Sequence, residues 1–179
     1  DYGLNVTADE TFPLKASSYY SASKAASDLL VESCHRTFGL PYLITRTCNN
    51  FGEHQFKEKF LPKIQHSIEN GLDIPLYGDG EHIREWIHVD DNVRYIAILM
   101  FSDVINEVVN IGSGIKYSNR RIIDIIQDKL HGKGIKVVSV PDRLGHDKKY
   151  SLNSTKLKNI LKEIGQTYHV THKIGRAHV

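Results

Sequence analysis

Strand-like and helix-like patterns alternate along the whole chain, and this alternation restricts it to an α/β architecture in which strands end at turns and helices carry the chain back across a sheet. From about Tyr20 to Phe38, Ala22, Ala26, Leu29, Leu30, Cys34 and Phe38 recur at spacings of three and four. This predicts a helix with one apolar face, stopped by Gly39 and Pro41. Tyr42 to Thr47 is short and rich in β-formers, and it runs into a polar turn, Asn49-Asn50-Phe51-Gly52. Further helices are expected from Glu58 to Asn70, from an Asp90 or Asp91 cap to Phe101, from a Ser118 cap to Leu130, and from Ser154 to Ile164. Strands are expected at Ile74–Tyr77, Trp86–Val89, Val108–Ile111 and Ile135–Val140, with residues 1–17 as loop and no internal repeat.

With 179 residues, 40% of them hydrophobic, the chain can bury the core of one domain or parts of two. Lys and Arg total 23 against 21 Asp and Glu, a net charge of +2. That balance argues against charge-driven binding of nucleic acid or a membrane surface, so an anionic ligand must meet a local cluster. The longest strongly apolar stretch, Tyr95 to Phe101, falls short of the roughly 18 residues of a membrane span, and the first ten residues are acidic rather than signal-like. A cytoplasmic location is expected. Cys34 and Cys48 read as reduced, small core residues. No set of His, Cys and carboxylates has metal-site spacing, His88 and His146 included, so no metal is expected.

Tyr20 and Lys24 stand four apart on the first predicted helix, on one face and about a turn from each other. A free tyrosine titrates near ~10 and supplies about one phenolate per thousand molecules at neutral pH. Lowering such a value by three units takes about 4 kcal/mol, at ~1.4 kcal/mol per unit, which a neighbouring ammonium and a cationic ring can jointly provide. The pair then suits hydroxyl deprotonation coupled to hydride loss. By itself the spacing is weak, since any amphipathic helix can carry it. Ligands in parallel α/β sheets sit beyond the carboxyl ends of strands, which makes Asn49 and Asn50 contact candidates, with turn formation as the plain alternative. Asn110 offers the same amide chemistry. Arg84 and Arg143 can each fork onto phosphate oxygens; their alternative is surface pairing, for Arg84 with Glu81 or Glu85. Trp86 reads as core or pocket wall.

The run SSYYSASKAASD at 17–28 resembles the catalytic helix of extended short-chain dehydrogenase/reductases, and within them the nucleotide-sugar 4,6-dehydratases. Later segments agree in order. TCNNFG (47–52) is similar to the family loop whose first Asn meets the sugar nucleotide and whose second meets NAD. EKFLP (58–62) resembles a substrate-domain helix in which Lys59 and Phe60 would line the site. IPLYGDG (74–80) and IREWIHVDD (83–91) are similar to the nucleotide-binding strand and its diphosphate-binding arginine, and VNIG (109–112) places Asn110 at a substrate contact. DRLGHD (142–147) is similar to the loop that closes over the nucleotide. The match covers about residues 10 to 160.

The resemblance implies the C-terminal part of a Rossmann-type doubly wound parallel sheet plus a smaller α/β substrate-binding domain. Residues 1–56 would end the NAD-binding domain, 57–164 would mainly form the sugar-nucleotide domain with about 83–101 returning to the first, and 165–179 would be an atypical tail. The implied reaction is NAD-dependent dehydration of dTDP-glucose or UDP-glucose to the 4-keto-6-deoxy sugar, by C4 oxidation, loss of water across C5–C6 and hydride return to C6. Tyr20 and Lys24 would be catalytic and, with Asn50, would meet NAD. Asn49, Lys59, Phe60, Pro75, Leu76, Tyr77, Arg84, Asn110, Asp142, Arg143 and His146 would meet the sugar nucleotide, and Tyr20 and Lys24 would open onto the concavity lined by Arg84 and Arg143. A homodimer through the Tyr20–Phe38 helix is implied as well.

The Gly-rich turn that cradles a dinucleotide is not in these 179 residues. The family's Thr-Asp-Glu triplet would fall before Asp1, and Asp9 and Glu10 are not that pair. Leu144 replaces a usual proline and Lys149 a common arginine. A 4-epimerase or decarboxylase, which shares the Tyr/Lys pair, and a sugar-nucleotide-binding module without turnover remain as alternatives.

Overall fold

A computed structural model of the chain describes residues 7–131, 134–142 and 149–175. The elements run α1 (Tyr19–Phe38), β1 (Leu43–Thr47), β2 (Asn49–Phe51), α2 (Phe60–Glu69), β3 (Ile74–Tyr77), β4 (Ile83–His88) and α3 (Val89–Met100), then β5 (Glu107–Ile111), β6 (Lys116–Ser118), α4 (Asn119–Lys129), β7 (Val137–Val140), β8 (Lys149–Tyr150) and α5 (Thr155–Glu163). β1 and β5 pair in parallel, with Arg46 opposite Asn110. β2 and β4 pair in parallel, with Asn49 opposite Trp86 and Asn50 opposite Ile87. β3 and β7 do the same, while β4 also takes antiparallel β6 and parallel β8. Parallel neighbours need long crossovers, and helices supply them here, which is how a doubly wound sheet is built.

Two apolar clusters hold these layers. In one, Ile122, Ile123 and Ile126 of α4 meet Leu61 and Ile64 of α2, Ile74 and Leu76 of β3, and Trp86 of β4. In the other, Tyr95 and Leu99 of α3 and Leu157 and Leu161 of α5 meet Ile87 of β4 and Val109 and Ile111 of β5. Each fully buried aliphatic side chain stabilises the fold by about 1.5–3 kcal/mol. The two cores are interleaved along the chain, and β4 contributes adjacent residues to both. No helix among the described residues is long and apolar enough to cross a membrane.

Where the structure departs from the sequence reading, long-range pairing or packing is the cause. Asn49 to Phe51, expected as a turn, form β2 because β4 offers them a ladder. β4 begins at Ile83 rather than Trp86, since its first residues pair with β6 and β8. α3 is capped by His88, whose side chain accepts from the Asp90 backbone N–H at 3.3 Å; Asp90 and Asp91 instead occupy its first turn, beside the positive end of the helix dipole.

The largest departure concerns α1. Its local signals all operate: Ser18 and Ser21 form a reciprocal capping box, and Gly39, at φ 67°, closes the last turn in a left-handed conformation that costs a glycine little. Yet none of its residues is buried. The predicted apolar face has no cover among the described residues, and Cys34 is exposed rather than in the core. Cys48 is buried as expected, and burial, aided by the nearby Glu85 carboxylate, pushes its thiol up to about 12, so it stays protonated and unreactive.

Candidate active site

Tyr20 and Lys24 lie in the first two turns of α1, and both are exposed, Tyr20 at 76%. The first half of this helix is anchored by Asp28, one turn beyond Lys24. Its carboxylate accepts from Arg46 Nε at 2.8 Å, and Arg46 also donates to the Glu10 carbonyl at 3.1 Å. Glu10 in turn accepts from the Asn110 backbone N–H at 2.9 Å. The helix, the loop before it and the β1/β5 pair are thereby joined in one polar chain.

Both candidate asparagines at 49 and 50 sit on β2. Asn50 donates to Thr47 Oγ1 and the Cys48 carbonyl, each at 3.2 Å, while its Oδ1 is buried without a partner. Asn110 is buried and spends its Nδ2 on the carbonyls of Ala8 (3.1 Å) and Asn153 (3.3 Å), leaving Oδ1 buried and unpartnered. Its amide N–H groups therefore stitch the chain together, and its oxygen has no hydrogen-bond partner among the described residues. An unsatisfied buried acceptor costs about 1–3 kcal/mol, which a ligand donor would recover.

A cavity of about 40 Å³ is lined by Glu58, Phe60, Lys63, Ile64, Pro75 and Tyr77. Three predicted substrate residues, Phe60, Pro75 and Tyr77, thus converge. The alternation of β3 explains why Leu76 does not join them: Pro75 and Tyr77 face the cavity side, whereas Leu76 points into the core at 1% exposure. Lys59 is exposed at the N-cap of α2, and Phe60 stacks on Trp86 with ring centroids 6.3 Å apart. Arg84 is buried on β4 and donates to the Ile83 carbonyl at 2.9 Å. Asp142 meets His82 Nε2 at 3.2 Å. Arg143 and His146 lie outside the described residues.

The lining of this cavity includes neither Tyr20 nor Lys24, which lie on exposed α1. Sequence reasoning also passed over three polar residues that organise the region. His82 holds the start of the 142–147 segment. Glu85 is fully buried and accepts from the backbone N–H groups of Gly114 and Leu152, both at 2.8 Å. Arg46 ties α1 to β1. A charged pair set between apolar residues in a strand, as Arg84-Glu85 between Ile83 and Trp86, is the signal that could have flagged a buried anchor. Among the described residues, His88, Asp90 and His172 bring ligand atoms within 4.8 Å of one another. The two imidazoles stack with centroids 4.2 Å apart and 30° between planes. Stacked rings direct their lone pairs side by side rather than toward one point, which does not make a tetrahedral ligand set.

The described geometry agrees with known proteins. Residues 2–112 match the model of the NAD dependent epimerase/dehydratase family. The low-salt glycan biosynthesis protein Agl12 of Haloferax volcanii is 45% identical over 170 residues, covering 88% of this chain and 55% of that protein. A dTDP-glucose 4,6-dehydratase from Streptomyces antibioticus is 46% identical over 145 residues, covering 80% and 43% respectively. The crystal structure of DesIV, a dTDP-glucose 4,6-dehydratase from Streptomyces venezuelae solved with NAD bound, superposes with a TM-score of 0.86 at 41% identity, over 93% of this chain and 51% of that one. The chain spans about half the length of these relatives. Ordered motifs, parallel topology and family match converge, and the chain belongs to the NAD dependent epimerase/dehydratase family.

Proposed function

We propose that this chain is the part of a nucleotide-sugar 4,6-dehydratase that carries its Tyr/Lys pair and most of its sugar-nucleotide site, acting on dTDP-glucose or UDP-glucose. The observation that carries this reading is the placement of Tyr20 and Lys24 on a capped helix tied by Asp28 and Arg46 to β1, whose far end leads directly into Asn49 and Asn50. The identity of 36–46% to proteins named dTDP-glucose 4,6-dehydratase supports it and favours dTDP as the nucleotide.

Tyr20 takes the proton of the sugar C4 hydroxyl, and Lys24 supplies positive charge one helical turn away. Bound NAD supplies the hydride acceptor at C4 and, once reduced, the donor to C6. Asn50 fits a contact to that cofactor because its buried Oδ1 has no partner among the described residues and would accept a ligand N–H. Asn49 and Asn110 serve sugar hydroxyls. Arg84 and Arg143 serve the diphosphate, with Asp142 and His146 on the closing segment and Lys59, Phe60, Pro75, Leu76 (through its backbone) and Tyr77 along the nucleotide wall. Residues 1–56 and about 83–101 then belong to the cofactor domain and the remainder to 164 mainly to the nucleotide domain; Cys48, Ile87, Tyr95 and Leu99 share an apolar cluster with β5 and α5, whereas Phe51 and Trp86 join that of α2, β3 and α4. A second copy of the chain covers α1, consistent with the exposure of Leu29, Leu30 and Phe38, giving a homodimer. Its substrate and cofactor classes put the protein in the cytoplasm.

Incubating the full-length protein that contains this chain with NAD and dTDP-glucose, and weighing the sugar nucleotide by mass spectrometry, tests the reading. The expected product is lighter by one water and carries a ketone, and Tyr20→Phe lowers its formation by about 10²–10⁴-fold. A product of unchanged mass with C4 inverted would instead establish an epimerase. Quenching of Trp86, the lone tryptophan of this chain, by dTDP without any product would establish a binding module.

A further inference from the structure

We propose that Arg46 is a positioning residue for the Tyr20/Lys24 face of α1, an inference that rests on the function proposed above. Tyr20, Lys24 and Asp28 follow one another at four-residue spacing, so one stripe of the helix carries the phenol, the ammonium and the carboxylate. Among the described residues no side chain of α1 is fully buried, so the packing of its own chain alone fixes its rotation about its axis only weakly. Near its end the helix is tied to neighbours in sequence: His35 Nδ1 meets the Leu40 carbonyl at 2.9 Å and the His35 ring meets Tyr42 edge-on. Among the described residues, the polar contact that reaches the first half of α1 from elsewhere in the fold is Arg46 to Asp28.

That contact is built rather than incidental. Arg46 and Asp28 are about four-fifths buried, with side-chain exposures of 19% and 20%. The planar guanidinium is held in place by its second bond, to the Glu10 carbonyl, so the carboxylate is presented with a defined direction. Arg46 lies opposite Asn110 in the β1/β5 ladder, and the Glu10 carboxylate bonds the Asn110 N–H. The stripe bearing the reactive pair is thereby referenced to the strand that carries a sugar-contact candidate. An error of 1 Å at a reacting group can cost about 100-fold in rate, so such a reference acts on turnover without touching substrate.

The test compares the wild-type protein with Arg46→Met, which keeps the aliphatic stem and removes the donors, and with the exchanged pair Asp28→Arg/Arg46→Asp. Arg46→Met is expected to lower kcat by about 10–100-fold with KM for dTDP-glucose within about two-fold, and the exchanged pair to recover most of the loss. In parallel, hydrogen exchange of the Tyr19–Asp28 amides accelerates in Arg46→Met while that of α4 stays unchanged. Equal losses in kcat and in substrate affinity, or exchange that accelerates throughout the molecule, would reduce Arg46 to a general stabilising residue and overturn the proposal. Wild-type kcat and wild-type α1 exchange in Arg46→Met would overturn it too. If no variant and not even the wild type turns over, the dehydratase reading fails, and exchange confined to α1 still decides whether Arg46 sets that helix.

Discussion

Helices α1 and α4 both read as amphipathic and both begin at a serine that accepts from a backbone N–H three residues on. Only α4 is covered by its own chain: Ile122, Ile123 and Ile126 are at most 1% exposed, against α2 and β3. α1 is nearly twice as long and has no fully buried residue, with Leu29, Leu30 and Phe38 at 58%, 65% and 72% exposure. Periodicity states that a face needs covering; it does not say whether the cover lies in the same chain. The 20 residues, capping box and glycine stop of α1 suffice for a helix, whereas among the described residues its placement is left to the Arg46–Asp28 ion pair, the His35 contacts and whatever docks on it.

The contrast can be broken from the α4 side first. Ile126→Ala should cost about 2–5 kcal/mol in chemical denaturation, because a fully buried isoleucine leaves a cavity. A loss near zero would mean that α4 is no better packed than α1. A second comparison uses α3, which is fixed partly by charge. Asp91 is fully buried, pairs with Arg94 at 2.9 Å and accepts from Thr171 Oγ1 and from the Thr171 and His172 N–H groups. Burial raises its carboxyl, but those hydrogen bonds and the guanidinium outweigh it and hold it below the usual range. A depressed carboxyl contributes stability that is full above the unfolded value of ~3.9 and drains away as pH falls through the lower folded value. Asp91→Asn should thus cost about 2–4 kcal/mol at neutral pH, and the gap to wild type should close under acid titration. A gap that persists in acid would show that packing, not charge, secures α3.

A smaller effect is expected at Gly112. A methyl there would come within 2.3 Å of Glu85 Oε1 and 3.0 Å of Ser154 Oγ, so Gly112→Ala should lower the melting midpoint by the equivalent of about 1–3 kcal/mol. The smallest belongs to α1: Leu29→Ala should change the stability of a dilute monomer by less than about 0.5 kcal/mol. Its effect should grow with protein concentration, together with a shift to slower sedimentation, if a second copy covers that face. Concentration-independent stability would remove the second copy from the account.

Much of the framework was legible because local chemistry dictates it. Ser118 caps α4 as read, and β3 matches residue for residue. The misses share a physical origin in non-local pairing. Asn49 and Asn50 carry turn chemistry, and only the ladder to β4 makes them a strand. β6 and β8 are three and two residues long, too short to show a period of two. Phe60, Pro75 and Tyr77, distant in sequence, line one cavity, while the core orientation of Leu76 follows from strand alternation alone. The anchoring roles of Arg46, His82 and Glu85 depend on partners 18, 60 and 67 residues away, separations that no window of sequence displays.

Because Trp86 faces one cluster and the next residue, Ile87, faces the other, β4 serves as a party wall. Neither half can melt and leave that wall standing, since losing one side strips the strand of its alternate side chains. Calorimetry should accordingly record a single cooperative endotherm rather than two steps. A displacement of this strand caused by a ligand on one side would be felt at once on the other.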